Sequence, residues 1–250
     1  MALALLAKFV LHLLLPRNFA GTGEKLPLRL ESGPFETLYY CGGAEPKGVV
    51  ILGTGDGGWS YWEENTALHL VGQGYAVGGW DCRKFANTRS YRQPDLVAGF
   101  NAAIEAVKER SGAGAGAPVW FGGWSTGAEQ SVAAAASPDR AEALTGLLLA
   151  APGSRSRYGL TTADLLGKMP TGPDTFALKD FAPALQGLRV VQFVAGLDPM
   201  DDVEWLKSLT TPYRMIPLPG KLHDMDNAGP DFQKAVDEGM AWTLDVPPAS

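Results

Sequence analysis

Cysteine, histidine and runs of like charge are all scarce in this 250-residue chain, and each scarcity removes a class of function. The two cysteines, Cys41 and Cys82, form no C-x-x-C pair and no metal-ligand cluster, which argues against a zinc module or a disulfide-stapled scaffold. Two buried thiols are expected, with a disulfide between them as the alternative in an exported protein. Histidine occurs only as His12, His69 and His223, so any acid–base histidine is one of three. A net charge of −6 without a basic run argues against a nucleic-acid partner. There is no internal repeat, and the one low-complexity tract is the Gly/Ala stretch 111–117.

What is present describes a globular chain. Hydrophobic residues make up 46% and charged residues 19%, enough to bury a large core in one domain. Residues Met1–Leu15 are apolar apart from Lys8 and His12, and Pro16-Arg17 ends the run. This falls short of the roughly 20 apolar residues of a membrane span, but suits the apolar core of an export signal or an N-terminal anchor. The expected organisation is therefore an apolar segment over 1–20 and a single domain over 21–250. A periplasmic, exported or membrane-anchored location goes with it; a cytoplasmic protein whose first helix packs on the domain is the alternative.

Beyond that segment, apolar runs and helical patterns alternate. Leu26–Leu30 and Thr37–Cys41 read as a hairpin around Glu31–Pro34. Strands are predicted at Gly48–Leu52, Tyr75–Trp80, Val119–Trp124, Ala143–Ala150, Leu188–Val194 and Tyr213–Pro217. Helices are predicted at Trp62–Gln73, Pro94–Glu109, after Ser125, and at Phe232–Leu244. Strands alternating with helices give an α/β fold, a mostly parallel sheet covered on both faces, with the active site at the C-terminal ends of the strands. Residues 152–183 break the rhythm and read as a lid-like insertion.

One stretch organises the rest. Val119-Trp120-Phe121-Gly122 runs into Gly123-Trp124-Ser125-Thr126-Gly127, and an Ala-rich segment follows. A strand, a G-x-S-x-G turn and a helix are what a nucleophile elbow requires, the glycines allowing close approach to neighbouring backbone. With 31 glycines in the chain the pattern alone is weak; its order with other residues strengthens it. An acid follows one later strand and His223 follows the last, giving the chain order Ser, acid, His. Serine needs a base to become a nucleophile, and imidazole needs a carboxylate to fix its tautomer. The preferred acid is Asp198, with Asp201 and Asp202 as close rivals. His12, in the apolar run, and His69, within a helix, read as structural. The glycine-rich turn Gly53–Trp59 lacks the Lys-Ser/Thr of a phosphate loop. It fits better as a donor of an oxyanion N–H, most simply that of Asp56, beside the N–H of Thr126. This chemistry calls for no metal and no cofactor.

The turn Thr54-Gly55-Asp56-Gly57-Gly58-Trp59 resembles the S-G-D-G-G-W motif of the VirJ/AcvB bacterial virulence-factor family, with Thr54 in place of the serine. The order of Asp81, Arg83-Lys84-Phe85, the Ser125 elbow and the late Pro219-Gly220-x-x-His223 loop is similar too, so the resemblance spans about Val49 to the end. It departs where Trp124 and Thr126 replace the usual Tyr and Phe, and where Lys221-Leu222 precede His223. The resemblance implies an α/β-hydrolase fold and a periplasmic serine hydrolase acting on a small-molecule or lipid ester. For some members it implies an aminoacylated phospholipid of the lysyl-phosphatidylglycerol type, and hence association with a membrane surface. In that case Arg83, Lys84, Arg89 and Arg92 could meet a lipid phosphate, the other reading being a solvated loop. A general carboxylesterase, or an adaptor of secretion machinery on a hydrolase scaffold, are the alternatives.

Overall fold

The computed structural model of the chain describes residues 20–88 and 91–244. The N-terminal apolar segment with His12, and Arg89, lie outside the described residues, apart from Ala20. In chain order the strands are β1 (Glu24–Leu30), β2 (Gly33–Tyr40), β3 (Val49–Gly53), β4 (Ala76–Trp80), β5 (Val119–Trp124), β6 (Leu144–Ala150), β7 (Arg155–Arg157), β8 (Thr175–Ala177), β9 (Arg189–Ala195) and β10 (Tyr213–Leu218). The helices that matter below are α1 (Tyr61–Gly72), α2 (Cys82–Thr88), α3 (Gln93–Ser111), α4 (Thr126–Ala135), α5 (Thr162–Leu165), α6 (Leu178–Phe181) and α7 (Pro230–Leu244).

Eight of the strands form one sheet in the order β1-β2-β4-β3-β5-β6-β9-β10. From β4 to β10 all pairings are parallel, and β1 and β2 join antiparallel at one edge. The central strands are short apolar runs because both faces are covered. In β3, Val49 and Ile51 pack into a cluster with Phe100, Ile104 and Val107 of α3 and Val132 of α4. Val50 and Leu52 face the opposite way, toward Trp62 and Leu70 of α1 and Phe232 and Met240 of α7. The alternation of successive side chains thus divides one strand between two cores. This is the α/β-hydrolase architecture that the residue pattern predicts.

The sequence reading differs from the structure in several details. The hairpin pairs Leu30 with Gly33, so its turn is only Glu31-Ser32, and Gly33-Pro34 belong to β2. The cationic stretch after Asp81 is not a loop over its first part but the short helix α2. It is anchored by Phe85, whose ring lies 4.6 Å from Trp80 and 5.2 Å from Phe35. Two turns of helix are too short for periodicity to show. Both cysteines are free thiols; Cys82 is buried as expected, but Cys41 is only half-buried at the sheet edge. Within 152–183, β7 and β8 form a separate antiparallel pair around α5. The segment is held by Tyr158, packed between Tyr91 and Phe176, and by the Arg92–Asp174 ion pair at 2.8 Å. Among the described residues, no helix is long and apolar enough to cross a membrane.

Candidate active site

Ser125 stands between β5 and α4 at φ 52°, ψ −120°, a conformation that costs a non-glycine residue about 1–3 kcal/mol. Backbone bonds on either side hold it there. Its N–H donates to the Ala150 carbonyl of β6 (2.9 Å), and its carbonyl accepts the Glu129 N–H (3.1 Å). The flanking glycines are needed because β3 passes directly beneath. A Cβ on Gly127 would fall 2.2 Å from the Gly53 carbonyl oxygen, and one on Gly123 would fall 2.5 Å from the same atom. Ser125 makes no capping hydrogen bond with its own helix and is partly exposed, with Thr126 opening the first turn of α4.

Two later loops converge beside the elbow. Asp198 follows β9, His223 follows β10, and Nδ1 of His223 lies 2.6 Å from Oδ2 of Asp198. The loops are stitched together by the Leu197 N–H on the Lys221 carbonyl (2.9 Å). Trp124, the residue before Ser125, donates its indole N–H to the His223 carbonyl (2.7 Å), and the two rings are 5.2 Å apart. Asp201 and Asp202 are directed elsewhere. Asp201 accepts the Ala195 N–H and the Gln192 amide, each at 2.7 Å, and Asp202 accepts the Glu204 N–H at 3.0 Å. Asp198 is the one of the three bonded to His223. His69 instead meets Asp237 at 2.7 Å on the helical surface.

With Nδ1 facing a carboxylate, the imidazole proton is held on that nitrogen and Nε2 is left as the acceptor. Burial alone would lower the His223 pKa. The bond to Asp198 and the charges of Asp198, Asp56 and Glu129 outweigh it, and the value rises above the ordinary one. Burial likewise opposes ionisation of Asp198, but the bonds from His223 and the Met200 N–H hold its pKa below the usual carboxylate range.

The glycine-rich turn lies against the same place. The Thr54 N–H is taken by the Trp80 carbonyl (3.0 Å) and the Gly55 N–H by the Glu63 carboxylate (3.1 Å), so two of its first three amides are committed to structure. Asp56 follows directly on them, and its charge acts on His223.

Sequence reasoning missed two buried acids here. Glu129, one turn beyond Ser125, accepts the Gly153 N–H (2.9 Å) and bonds Ser156, tying the elbow helix to the segment that follows β6. Burial pushes its pKa up to about 7, and His223 and Asp56 act on it directly. A lone carboxylate inside an Ala-rich apolar helix was the available signal. Glu63 is the other, and Ser60-x-x-Glu63 is a legible capping box. Among the described residues, no set of three His, Cys, Asp or Glu side chains could hold a metal ion. A cavity of about 670 Å³ lined by Thr22, Tyr39, Cys41 and Arg110 lies at the β1–β2 edge, on strands other than those carrying the elbow.

The family described as bacterial virulence protein (VirJ) matches residues 47–238. The chain belongs to the VirJ family. No curated protein matches its sequence. Among solved structures, this VirJ-family protein is similar to DcsB in complex with its substrate analogue, at 13% identity and a TM-score of 0.68 over 90% of this chain and 99% of that one. It is also similar to Est1E from Butyrivibrio proteoclasticus, at 13% identity and 0.64 over 90% and 100%. Dienelactone hydrolase from Anabaena variabilis gives 18% identity and 0.62 over 89% and 95%. At such identities the likeness is one of fold, the α/β-hydrolase fold.

Proposed function

We propose that this VirJ-family protein is a serine hydrolase that cleaves a carboxylic ester through an acyl-enzyme. The observation that carries this reading is the His223–Asp198 contact at 2.6 Å, held beside a strained elbow whose serine is partly exposed. In the reaction, Oγ of Ser125 attacks the ester carbonyl carbon while Nε2 of His223 takes its proton. The N–H groups of Thr126 and Asp56 stabilise the oxyanion. His223 then passes its proton to the departing alcohol oxygen; a water, deprotonated by the same nitrogen, attacks the acyl carbon, and the acid is released as Nε2 returns that proton to Oγ of Ser125. Asp198 holds the ring and offsets the charge of the imidazolium.

The finer reading is an aminoacylated phospholipid of the lysyl-phosphatidylglycerol type. Its support is the field at the site: the charge of Asp56 acts on His223, an environment suited to an acyl group that carries ammonium. Leu197 and Leu222, 59% and 60% exposed, flank Asp198 and His223 and suit contact with a lipid surface. Export or anchoring through the apolar segment 1–20 belongs to the same proposal.

Labelling with a fluorophosphonate probe tests the chemistry. Wild type should label, and Ser125→Ala and His223→Ala should not while remaining folded. A folded wild type that does not label would overturn the hydrolase reading and favour the adaptor. If labelling holds, vesicles containing lysyl-phosphatidylglycerol should be hydrolysed faster than neutral short-chain esters; the reverse order would leave a general carboxylesterase.

A further inference from the structure

Glu63, in the first turn of α1, has no exposed surface and no part in the chemistry above. Its Oε2 accepts the Ser60 N–H at 2.9 Å and the Ser60 hydroxyl at 2.5 Å, which completes the cap of α1. A cap needs no more than that. Oε1 nevertheless reaches back to the Gly55 N–H at 3.1 Å, eight residues away. One carboxylate therefore ties together both ends of the loop Gly55–Ser60, and this loop carries Asp56. Inside it the Gly58 N–H donates to the Gly55 carbonyl at 3.1 Å, and the Trp59 indole donates to Glu64 at 2.9 Å. The loop packs on the elbow, since a Cβ on Gly55 would meet the Trp124 ring at 3.0 Å. Burying a carboxylate is costly, and here burial pushes its pKa up to about 7. An exposed glutamate would cap the helix without that cost.

We infer that Glu63 is a positioning residue for the oxyanion loop: by bonding Gly55 and Ser60 together, it holds the backbone of Asp56 in place beside Ser125. This rests on the hydrolase reading. The role is distinct from stabilising α1, because it concerns the transition state more than the bound substrate.

Glu63→Gln tests it, with three measurements on the full chain. Amide exchange at Gly55 and Asp56 should quicken. With p-nitrophenyl butyrate, kcat should fall roughly tenfold to a hundredfold, less than or comparable to losing one oxyanion donor, while KM stays within about threefold. The Ki of phenylboronic acid, whose tetrahedral adduct on Ser125 presents an oxyanion to the same loop, should weaken by the factor that kcat loses. A folded Glu63→Gln protein with kcat and Ki within about twofold of wild type overturns the inference. So does a loss of kcat without faster exchange at Gly55. If Glu63→Gln fails to fold, Ser60→Ala removes one of the three bonds and leaves the carboxylate. A fall of about threefold in kcat is then expected, and an unchanged kcat overturns the inference. A wild type that turns over no ester sinks the hydrolase reading instead, and exchange at Gly55 in the variant still judges the clamp alone.

Discussion

Three aspartates within five positions compete for one histidine, and the choice is made by the amide donors, backbone and side-chain, that take Asp201 and Asp202. Asp201 is drawn inward by the Ala195 N–H and the Gln192 amide, Asp202 is turned to the Glu204 N–H, and Asp198 is left aimed at His223. A side chain that accepts buried amides has a structural duty, so its loss should affect folding more than turnover. Asp198→Asn is therefore expected to lower kcat/KM roughly 10³–10⁴-fold with little loss of stability, because the amide favours the wrong tautomer. Asp201→Asn should cost less than about tenfold in kcat/KM but lower the unfolding midpoint, since it disturbs the Gln192 and Ala195 bonds. The pH profile gives a second reading. The His223 pKa is raised, so the neutral base forms only above the ordinary imidazole value, and activity should rise with pH through a midpoint above about 6.5. Removing the Asp198 charge should move that limb to lower pH. Equal losses of kcat/KM in the two variants would contradict the assignment.

At the scale of elements, the elbow depends on β3 and β5 lying close enough that no side chain fits between them and α4. Gly53, Gly123 and Gly127 meet at one crossing, where a Cβ on Gly53 would also fall 2.9 Å from Gly127. The clash is with backbone, which cannot rotate away as a side chain does. Gly127→Ala is expected to destabilise the fold by about 3 kcal/mol, the upper end of overpacking costs, and to abolish probe labelling. A variant as stable and as reactive as wild type in denaturant titration and labelling would show that the crossing relaxes cheaply. These glycines also explain what the sequence made legible. The elbow, the parallel strands and the chain order serine, acid, histidine all follow from local patterns: apolar runs of strand length, glycine spacing, and residues placed just after strands; which of Asp198, Asp201 and Asp202 meets His223 does not. Helix α2 escaped because seven residues give too little periodicity, and β7 and β8 because three-residue strands give none. Glu63 and Glu129 were legible as a cap residue and a lone charge. What they bond lies eight and twenty-four positions away, and only the folded chain brings those partners together.

Across the whole molecule, the ionisable groups that folding perturbs divide into two sets with opposite effects. Glu64 and Asp198 have lowered pKa values, so they stabilise the fold above the ordinary carboxylate range and lose that effect only in stronger acid. Glu63 and Glu129 are raised to about 7, Asp201 to about 6, and His223 is raised as well. For these the folded state binds protons more tightly than the unfolded chain. Their contribution is fully present below the unfolded pKa and is lost as pH rises through the folded one. For Glu129 the rise from an ordinary 4.5 to about 7 corresponds to about 3 kcal/mol at roughly 1.4 kcal/mol per pH unit. For Glu63 and Glu129 that loss runs from about pH 4.5 to about pH 7, and for His223 it begins only above about pH 6.5, all above the range in which the first set is lost. Stability should accordingly be greatest at about pH 4.5 and fall by at least about 3 kcal/mol by pH 8. Glu129→Gln keeps an oxygen for the Gly153 N–H and removes the ionisation, so its fall over the same range should be smaller by about 2–3 kcal/mol. Urea unfolding at pH 5, 6, 7 and 8 measures both slopes. A wild-type stability that is flat or rising across that range, or a variant that tracks it, would mean that Glu129 is not held as a high-pKa acid. The site would then function near neutral pH without the loss of stability that its buried carboxylates otherwise impose.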